Sequence, residues 1–324
     1  MAKHNQILDT VDECISNGVK KKILHLTTDD YYADGRTLNI GGRKLVNFAS
    51  YSYMGLETDN RLKQGGIAAF ERYGTQFGTT RAYASNFLYG ELESLMSEIF
   101  SKPTLVAPST TLAHQAAIPV LVRDDDAVIL DQFVHASVQV TVKMVKAKGI
   151  PVELLRHNDL AKLEERIKEL SQKHRRIWYM LDGVYSMYGD LAPLKELYAL
   201  MDKYEQFYCY IDDTHGMSWI GKNGSGYALS QINYHPQMIL VTCMNKAFAS
   251  GGGAIVLPDQ ETKRRIRTCG DTLIFSGSVP PPMLGVGVAC AKIHLSDEIY
   301  SMQDELQTRT NYCNYLLKKN NLPV

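Results

Sequence analysis

An aspartate, a histidine and a lysine near the ends of two apolar runs could act together chemically. Asp212 and His215 follow the run at residues 207–211, and Lys246 follows the run at residues 238–242. Both runs are typical of buried strands, and ligands of an open α/β sheet bind just beyond the carboxyl ends of its strands. The spacing therefore predicts that two strand ends deliver these three side chains to one site.

A lysine paired with an acid from a neighbouring strand suits a cofactor held as a Schiff base. The lysine amine captures an aldehyde, and the carboxylate keeps a pyridine nitrogen protonated. Lys246 and Asp212 therefore predict pyridoxal 5′-phosphate (PLP) as the cofactor. Each residue alone has a plainer explanation, as a surface lysine or a capping aspartate. The pair, together with the glycines at residues 251–253, favours the cofactor site.

The composition is that of an ordinary globular enzyme. Its 324 residues are 45% hydrophobic and 22% charged, and 35 basic residues balance 35 acidic ones. This balance gives no indication of a nucleic-acid partner, no apolar run approaches the roughly 18 residues of a membrane span, and no metal site is predicted. The six cysteines are scattered without a Cys-x-x-Cys pair, which indicates reduced core or site-lining thiols in a cytoplasmic protein.

Polar residues also gather at other predicted strand ends. Ser109, Thr110 and Thr111 open a helix directly after a short apolar strand. Hydroxyls and free backbone N–H groups at a helix start can cup an anion, although simple N-capping explains these three residues as well. His135 and the segment at residues 182–186 follow two further apolar strands.

Strand-like and helical segments alternate through the middle of the chain. Continuous apolar runs predict strands at residues 104–107, 127–130, 151–155, 177–181, 207–211, 238–242 and 254–257. Such strands alternating with helices predict a mainly parallel sheet that is covered by helices on both faces.

The flanking segments predict smaller units. Residues 1 to about 30 are typical of an amphipathic helix and a linker, and Gly41-Gly42 marks the turn of a hairpin. The prolines at 280–282 mark a boundary before one long helical stretch at residues 283–317. Residues 322–324 are typical of the start of another strand, so either a further C-terminal unit follows or the protein is unusually short.

These boundaries predict three parts. An N-terminal arm of helix and hairpin takes residues 1–55, a large cofactor-binding domain takes residues 56–270, and residues 271–324 form a linker and the start of a small C-terminal domain.

The polar clusters, in this order, resemble those of the α-oxoamine synthases, a family of PLP enzymes of fold type I. The resemblance covers roughly residues 45–320, and its most specific match is Asp182-Gly-Val-Tyr-Ser-Met-Tyr-Gly-Asp-Leu-Ala-Pro-Leu194. Six other segments carry it, at residues 47–56, 78–93, 131–137, 157–159, 211–216 and 246–281. It implies the PLP-dependent transferase fold type I, an α/β fold with a mainly parallel sheet between helices and a smaller C-terminal domain, here incomplete.

The resemblance assigns catalytic roles to four residues. Lys246 binds the cofactor aldehyde and later moves protons at the substrate α-carbon, while Asp212 pairs with the pyridinium nitrogen. His135 stacks on the cofactor ring. His215 hydrogen-bonds the ring hydroxyl, with Ser186 beside it. Each histidine also has a plain explanation as a turn or core residue.

The resemblance also implies how the phosphate and the substrate bind. The phosphate rests on Ser109, Thr110 and Thr111. Thr242 or Cys243 lies near the phosphate, and Ser278 is the nearest hydroxyl to position 277. Substrate contacts are implied for Asn47 and Tyr51, which lie in the first of the matching segments.

Several positions depart from the family pattern. The differences are Tyr51 for Asn, Tyr89 for His, Thr110-Thr111 for Gly-aromatic, Asp213 for Glu, Cys243 for Thr, and Gly277 for Thr. They leave the ring-binding residues intact and change the phosphate cup and the substrate side. No particular substrate pair is therefore assumed.

The activity that the resemblance implies is the decarboxylative condensation of an amino acid with an acyl thioester, which gives an α-aminoketone. Two alternatives stay open. One is a class-II-like aminotransferase or another PLP enzyme of the same fold. The other is a non-catalytic partner subunit, against which the intact Lys246, Asp212 and His215 speak. The resemblance also implies a homodimer with the active site at the subunit interface.

Overall fold

The computed structural model describes residues 4–323, and its contacts divide the chain into two compact units, Met1–Ser50 and Tyr51–Val324. The predicted N-terminal helix begins within the described part at His4, and residues 1–3 lie outside it. Leu322 and Pro323 are not in a strand, and Val324 lies outside the described residues. Leu322 and Pro323 therefore do not form the strand that was predicted to begin at residue 322.

The first unit contains a helix and a hairpin. Helix α1 spans His4–Lys20, and strands β1 (Thr37–Ile40) and β2 (Arg43–Val46) pair antiparallel. Gly41 and Gly42 form the turn with φ values of 58° and 73°, a left-handed conformation that favours glycine. The predicted hairpin is therefore confirmed.

The second unit contains the remaining strands and helices. Its strands are β3 (Thr104–Ala107), β4 (Ala127–Asp131), β5 (Val152–Leu155), β6 (Ile177–Asp182), β7 (Phe207–Asp212), β8 (Met238–Cys243) and β9 (Gly253–Val256). Its helices are α2 (Asn60–Tyr73), α3 (Phe87–Phe100), α4 (Thr110–Leu121), α5 (Ala136–Lys146), α6 (Leu160–Leu170), α7 (Leu194–Lys203), α8 (Tyr227–Gln231), α9 (Gln260–Cys269), α10 (Asp271–Ile274), α11 (Pro281–His294) and α12 (Glu298–Lys319). Within the described residues, no helix is both long enough and apolar enough to cross a membrane.

The strands of the second unit form one seven-stranded sheet in the described part of the chain, in the order β3-β9-β8-β7-β6-β4-β5. β4, β5, β6, β7 and β8 run parallel, and β9 runs antiparallel to both of its neighbours. The predicted mainly parallel sheet is confirmed. Because β9 is reversed, its first residue, Gly253, pairs with Cys243 and Ala107, so it lies at the edge where the other strands end.

Helices cover both faces of this sheet. Alternate residues of a strand point to opposite faces. Tyr179 of β6 accordingly packs in a core with α3, α7 and α11, while Trp178 packs in a second core with α4, α5 and α9. The connections from strands to helices therefore emerge at one edge of the sheet, where the predicted site residues lie.

The predicted single helix at residues 283–317 is wrong, because the structure breaks it between His294 and Glu298. α11 is apolar and largely buried, whereas in α12 Ile299 is the buried residue and most of the rest is exposed. A straight continuation could not keep the first half in the core and the second half in water. The chain turns instead at residues 295–297, where Ser296 Oγ donates to the Ile293 carbonyl.

Candidate active site

A cavity of about 190 Å³ lies at the carboxyl edge of the sheet. Its wall is formed by residues that follow β3, β4, β6, β7 and β8. The residues that line it are Ser109, Thr110, Thr111, His135, Ser137, Asp182, Val184, Asp212, Thr214, His215, Cys243, Asn245 and Lys246. The structure thus brings together most of the side chains that the sequence placed at strand ends.

Lys246 and His215 face each other in this cavity. Lys246 Nζ lies 2.7 Å from His215 Nε2, and His215 Nδ1 lies 2.8 Å from the Tyr53 hydroxyl. Burial lowers the pKa of Lys246, which enlarges the fraction of uncharged, nucleophilic amine. Burial and then the neighbouring Lys246 lower the pKa of His215 to about 4, so its imidazole is neutral at pH 7.

Asp212 carries the negative charge of the cavity. Its Oδ1 accepts from the Thr214 N–H at 3.1 Å, and its Oδ2 lies 3.0 Å from His114 Nε2. Burial is the largest single influence and raises the pKa of Asp212, but the hydrogen bonds from His114 and Thr214 and the electrostatic effects of His114 and His135 together outweigh burial and lower that pKa to about 2. His114 is in turn held by the Tyr210 hydroxyl, 2.8 Å from its Nδ1. Asp212 is therefore an anion that buried groups keep in place.

A second carboxyl group lies on the same wall. Asp182 Oδ1 accepts from the backbone N–H of His135 at 3.0 Å and so fixes the start of α5. Burial, and then the charge of Asp212, raise the pKa of Asp182 to about 9. The cavity accordingly holds one ionised and one protonated carboxyl group at pH 7. His135 Nδ1 accepts from the Ser137 N–H, which leaves its exposed ring at the cavity wall.

The start of α4 provides an anion cup. Ser109 Oγ caps the helix by accepting from Leu112 N–H, and the N–H groups of Thr110 and Thr111 have no carbonyl partner within the helix. Thr110 Oγ1 is buried and has no hydrogen-bond partner among the described residues. These donors lie at the positive end of the helix dipole, which suits a phosphate group.

Glycine at position 253 allows β9 to pass directly behind this cup. A Cβ atom there would lie 2.8 Å from both N and Cα of Thr110. Such a contact is too short without a shift of the backbone, so a side chain at position 253 would displace the cup.

Residues 43–324 match the family model of aminotransferase class I and II. The chain belongs to this family. Among curated relatives, the 8-amino-7-oxononanoate synthase of Fervidobacterium nodosum is 33% identical over 284 residues, covering 83% of this chain and 70% of the relative. The enzyme of the same name from Petrotoga mobilis is 34% identical over 277 residues, with coverages of 82% and 68%. These relatives confirm the resemblance to the α-oxoamine synthases.

A solved structure shares the fold of this chain. The serine palmitoyltransferase of S. paucimobilis, with bound PLP and myriocin, superposes with a TM-score of 0.80 at 22% identity, covering 91% of this chain and 76% of that one. The predicted fold type I is thereby confirmed.

The residues of the cavity fit PLP on three independent features. Asp212 is a buried anion, as a protonated pyridine nitrogen requires, and Lys246 is a partly buried amine of lowered pKa, as an aldehyde requires. The orphaned hydroxyl of Thr110 and the free N–H groups of the α4 start match a phosphate.

Two of the predicted hydroxyls lie outside this cavity. Thr242 Oγ1 is buried and donates to the Asp213 carbonyl at 3.4 Å, while its neighbour Cys243 lines the cavity. Ser278 lies beside the buried Tyr89, whose hydroxyl accepts from the Val279 N–H. Neither Thr242 nor Ser278 belongs to the lining that the described residues form.

Ser186 lines a neighbouring cavity of about 330 Å³ that shares Val184 and His215 with the first. Tyr51 is exposed and is in the lining of neither cavity in the described part of the chain. Asn47 belongs to the first unit of the chain, where its side-chain Oδ1 accepts from the Ala49 N–H. The roles of these three residues stay predictions.

Asp213, which replaces the family's glutamate, is buried in a glycine-lined space. Its Oδ2 accepts from the Ala228 N–H at 2.8 Å, and a Cβ atom on Gly183, Gly216 or Gly226 would clash with its carboxyl group. Burial raises the pKa of Asp213 to about 8, so the group is protonated at pH 7. The residue that departs from the family pattern is therefore a neutral, buried acid, next to Asp212 in the chain.

Sequence reasoning missed two residues of this site, His114 and Tyr53. Each had a signal: His114 interrupts the apolar helix that follows the anion cup, and Tyr53 lies in the first matching segment, two residues after Tyr51. Neither signal says which partner the side chain meets, because the partners Asp212 and His215 lie far away in sequence.

Proposed function

We propose that this chain is a PLP-dependent acyltransferase that condenses an amino acid with an acyl thioester. The observation that supports the proposal is that two groups line one cavity. Lys246 is an amine of lowered pKa, and Asp212 is a buried anion. The name of the relatives' product supports the reaction class, because it places an amino group and a keto group on adjacent carbons of a nonanoate, which is an α-aminoketone.

Each part of the cavity holds one part of the cofactor in this proposal. Asp212 would hold the ring nitrogen, His135 would cover a ring face, and His215 would meet the ring hydroxyl. Ser109, Thr110 and Thr111 would hold the phosphate. Bound there, PLP supplies an electron sink that stabilises negative charge at the substrate α-carbon.

Lys246 is the base of the reaction. Its amine, uncharged in a larger fraction of molecules because burial lowers its pKa, takes the proton from the substrate α-carbon. His215 Nε2, 2.7 Å away, holds Nζ at that place, and the Tyr53 hydroxyl fixes the other side of the same imidazole. Asp212 stays ionised throughout, since its own pKa is about 2.

The overall reaction balances without an oxidant or a reductant. The amino acid α-carbon gives up its proton to Lys246, and a carbon–carbon bond forms between that carbon and the thioester carbonyl carbon. The carbon–sulfur bond breaks, and the thiolate takes up a proton and leaves as a thiol. The bond to the amino acid carboxylate breaks and releases CO2, and a proton replaces it on the α-carbon, so that one proton is consumed overall. The product is an α-aminoketone.

We further propose a cytoplasmic homodimer whose active site lies at the subunit interface. Free thiols at all six cysteines, of which Cys209, Cys243 and Cys290 are buried, support a reducing compartment. Large apolar side chains such as Met187 and Phe275, which are 85% and 83% exposed, support burial against a second copy.

Two further parts of the proposal come from the sequence. The domains divide at residues 55 and 270, and the substrate is contacted by Asn47 and Tyr51.

The test begins with purified protein and added PLP. We expect a visible absorbance band, and then CO2 release that requires both an amino acid and an acyl thioester, found by screening each in turn. Lys246→Ala abolishes the band and lowers CO2 release by about 10²-fold or more. Lys292→Ala, which removes an exposed lysine paired with Glu91, leaves both unchanged.

Other outcomes would favour the alternatives. Transfer of the amino group to a keto acid, without CO2 release for any thioester, would identify an aminotransferase. The absence of a visible band with PLP would instead indicate a non-catalytic partner subunit.

A further inference from the structure

The Lys246–His215 contact depends on two separate turns. His215 lies in the turn after β7 and Lys246 in the turn after β8, and the parallel pairing of these strands reaches only Asp212 and Val241. Beyond that point, among the described residues, pairing of β7 with β8 does not fix the distance between the two side chains. The 2.7 Å distance between Nζ and Nε2 therefore also depends on the packing around both turns.

His294, at the end of α11, contacts the turn that carries His215. The imidazole is fully buried, and its Nε2 lies 2.9 Å from Ser218 Oγ. Ser218 is also fully buried and has a φ of 76°, which a non-glycine residue adopts only when its surroundings hold it there. Gln303 of α12 donates to the Ser218 carbonyl at 3.0 Å. The turn that carries His215 is thus held by hydrogen bonds at Ser218, a strained residue three positions after the histidine.

The same imidazole contacts the turn that carries Lys246. Its ring centroid lies 4.8 Å from that of Phe248, which is fully buried two residues after the lysine. This turn is tight, since the Ala249 N–H donates to the Lys246 carbonyl at 2.8 Å and Ala249 has a φ of 54°. One side chain therefore lies between both turns.

The hydrogen bonds of His294 fix its tautomer. Nδ1 lies 3.0 Å from the Cys290 carbonyl, which can only accept, so Nδ1 carries the proton. Nε2 then accepts from the Ser218 hydroxyl. Burial lowers the pKa of His294 to about 4, so the ring keeps this neutral form at pH 7. A Cβ atom on Gly224 would lie 2.7 Å from ring Cδ2, so the ring is packed closely against the backbone on that side.

We propose that His294 is a positioning residue that sets the Lys246–His215 contact by joining the two turns that carry these side chains. Only the catalytic role of the Lys246–His215 pair rests on the proposed function. A core histidine without this role would affect stability alone.

Three variants remove the two connections separately and together. Ser218→Ala removes the hydrogen bond, Phe248→Leu removes the ring contact, and His294→Leu removes both. His294→Gln keeps an acceptor for the Ser218 hydroxyl. The matched control is His235→Leu, which removes another buried histidine that contacts a ring, that of Tyr198. His235 precedes β8, at the end of that strand opposite to Lys246.

The main measurement is the pH dependence of Lys246 acetylation by acetic anhydride, read by mass spectrometry on the purified chain without PLP. When a turn loosens, water reaches Nζ and the pH of half-maximal labelling rises towards that of an ordinary lysine. We expect a rise of about half a pH unit or more in His294→Leu, and a smaller rise in Ser218→Ala and Phe248→Leu. His294→Gln recovers part of the difference, and His235→Leu labels like the wild type.

We expect His235→Leu to melt at a lower temperature than the wild type, because it removes a buried side chain. The proposal is overturned if His294→Leu also melts at a lower temperature yet labels at Lys246 like the wild type. If His294→Leu does not fold, Ser218→Ala and Phe248→Leu decide, and wild-type labelling in both overturns it. The labelling needs neither PLP nor substrates. If the wild type shows no acyltransferase activity, the proposed function is contradicted, but the labelling still tests the role of His294.

Discussion

Asp212 keeps its charge inside the cavity because a buried chain of hydrogen bonds ends on its carboxylate. Tyr210 holds His114 Nδ1, and His114 Nε2 holds Asp212 Oδ2. All three side chains are almost fully buried. In such surroundings an ionised acid that accepts no hydrogen bond is costly. The pKa of Asp212 therefore depends on which hydrogen-bond donors contact its carboxylate.

We therefore expect His114→Leu to raise the pKa of Asp212 and to weaken PLP binding about tenfold or more. Tyr210→Phe removes only the outer bond of the chain and has a smaller effect. The measurement is the PLP dissociation constant, from a fluorescence titration over a range of pH. Equal affinity for PLP in His114→Leu and the wild type would show that Thr214 N–H alone keeps Asp212 ionised.

Asp213 gives the protein a stability that depends on pH. Burial raises its pKa from 3.8 to about 8 in the folded chain. Between these values the unfolded chain has lost a proton that the folded chain keeps. The stabilisation is thus complete below pH 3.8 and falls as pH rises, by about 1 kcal/mol per pH unit.

Asp213→Asn removes this titration while an amide oxygen still accepts from the Ala228 N–H. We expect the free energy of unfolding of Asp213→Asn, relative to the wild type, to increase steadily between pH 5 and pH 8 (about 1 kcal/mol per unit). Urea unfolding at several pH values measures it. Asp124→Asn, at an exposed position, is the control and is measured at the same pH values. A difference for Asp213→Asn that does not vary with pH would mean that Asp213 is ionised in the folded state.

At this scale the sequence predicted Lys246, Asp212 and His215 because each follows a recognisable strand within a recognisable motif. It could not predict His114 or His294, although both are buried beside the site. Their partners lie 98 and 76 residues away in sequence, and only the packing of α4 and α11 brings them together. Neither periodicity nor local spacing contains that information.

At the scale of the elements, the close approach of β9 to the start of α4 decides the shape of the anion cup. Gly253 is the residue that allows it. We expect Gly253→Ala to cost about 1–3 kcal/mol in stability through overpacking, and to weaken PLP binding, because the Thr110 backbone must move. Thermal unfolding and PLP titration measure the two effects.

The control for this prediction is Gly277→Ala, because a Cβ atom at position 277 meets nothing within 4 Å. It should leave both stability and PLP affinity close to the wild type. If Gly253→Ala binds PLP as tightly as Gly277→Ala does, the cup does not depend on β9.

Element types were predictable where hydrophobic periodicity alone determines them. The strands from β3 to β9 and the hairpin were predicted within a residue or two of their bounds. The break between α11 and α12 was not, since the sequence from 283 to 317 favours helix almost throughout. The difference in burial between the two halves ends the first helix, and burial is a property of the assembled fold.

At the scale of the whole molecule, the exposed apolar side chains near the site are unexplained by a single copy of the chain. Met187 follows Ser186 in the loop that lines the second cavity, and Phe275 follows α10. In the proposed homodimer a second copy covers such residues. A charge placed among them would be buried without a partner, which is costly at an interface.

We accordingly expect the wild type to sediment as a dimer and Phe275→Asp to weaken the dimer about tenfold or more, as measured by analytical ultracentrifugation. Tyr312→Asp, at an aromatic residue that is 62% exposed on α12, is the matched control and should not change the dissociation constant. If the active site lies at the interface, the specific activity of Phe275→Asp rises with protein concentration as the dimer re-forms. A monomeric wild type that is fully active on dilution would contradict both the homodimer and the interface site, while the contacts of Lys246, His215 and Asp212 within one chain would still account for catalysis.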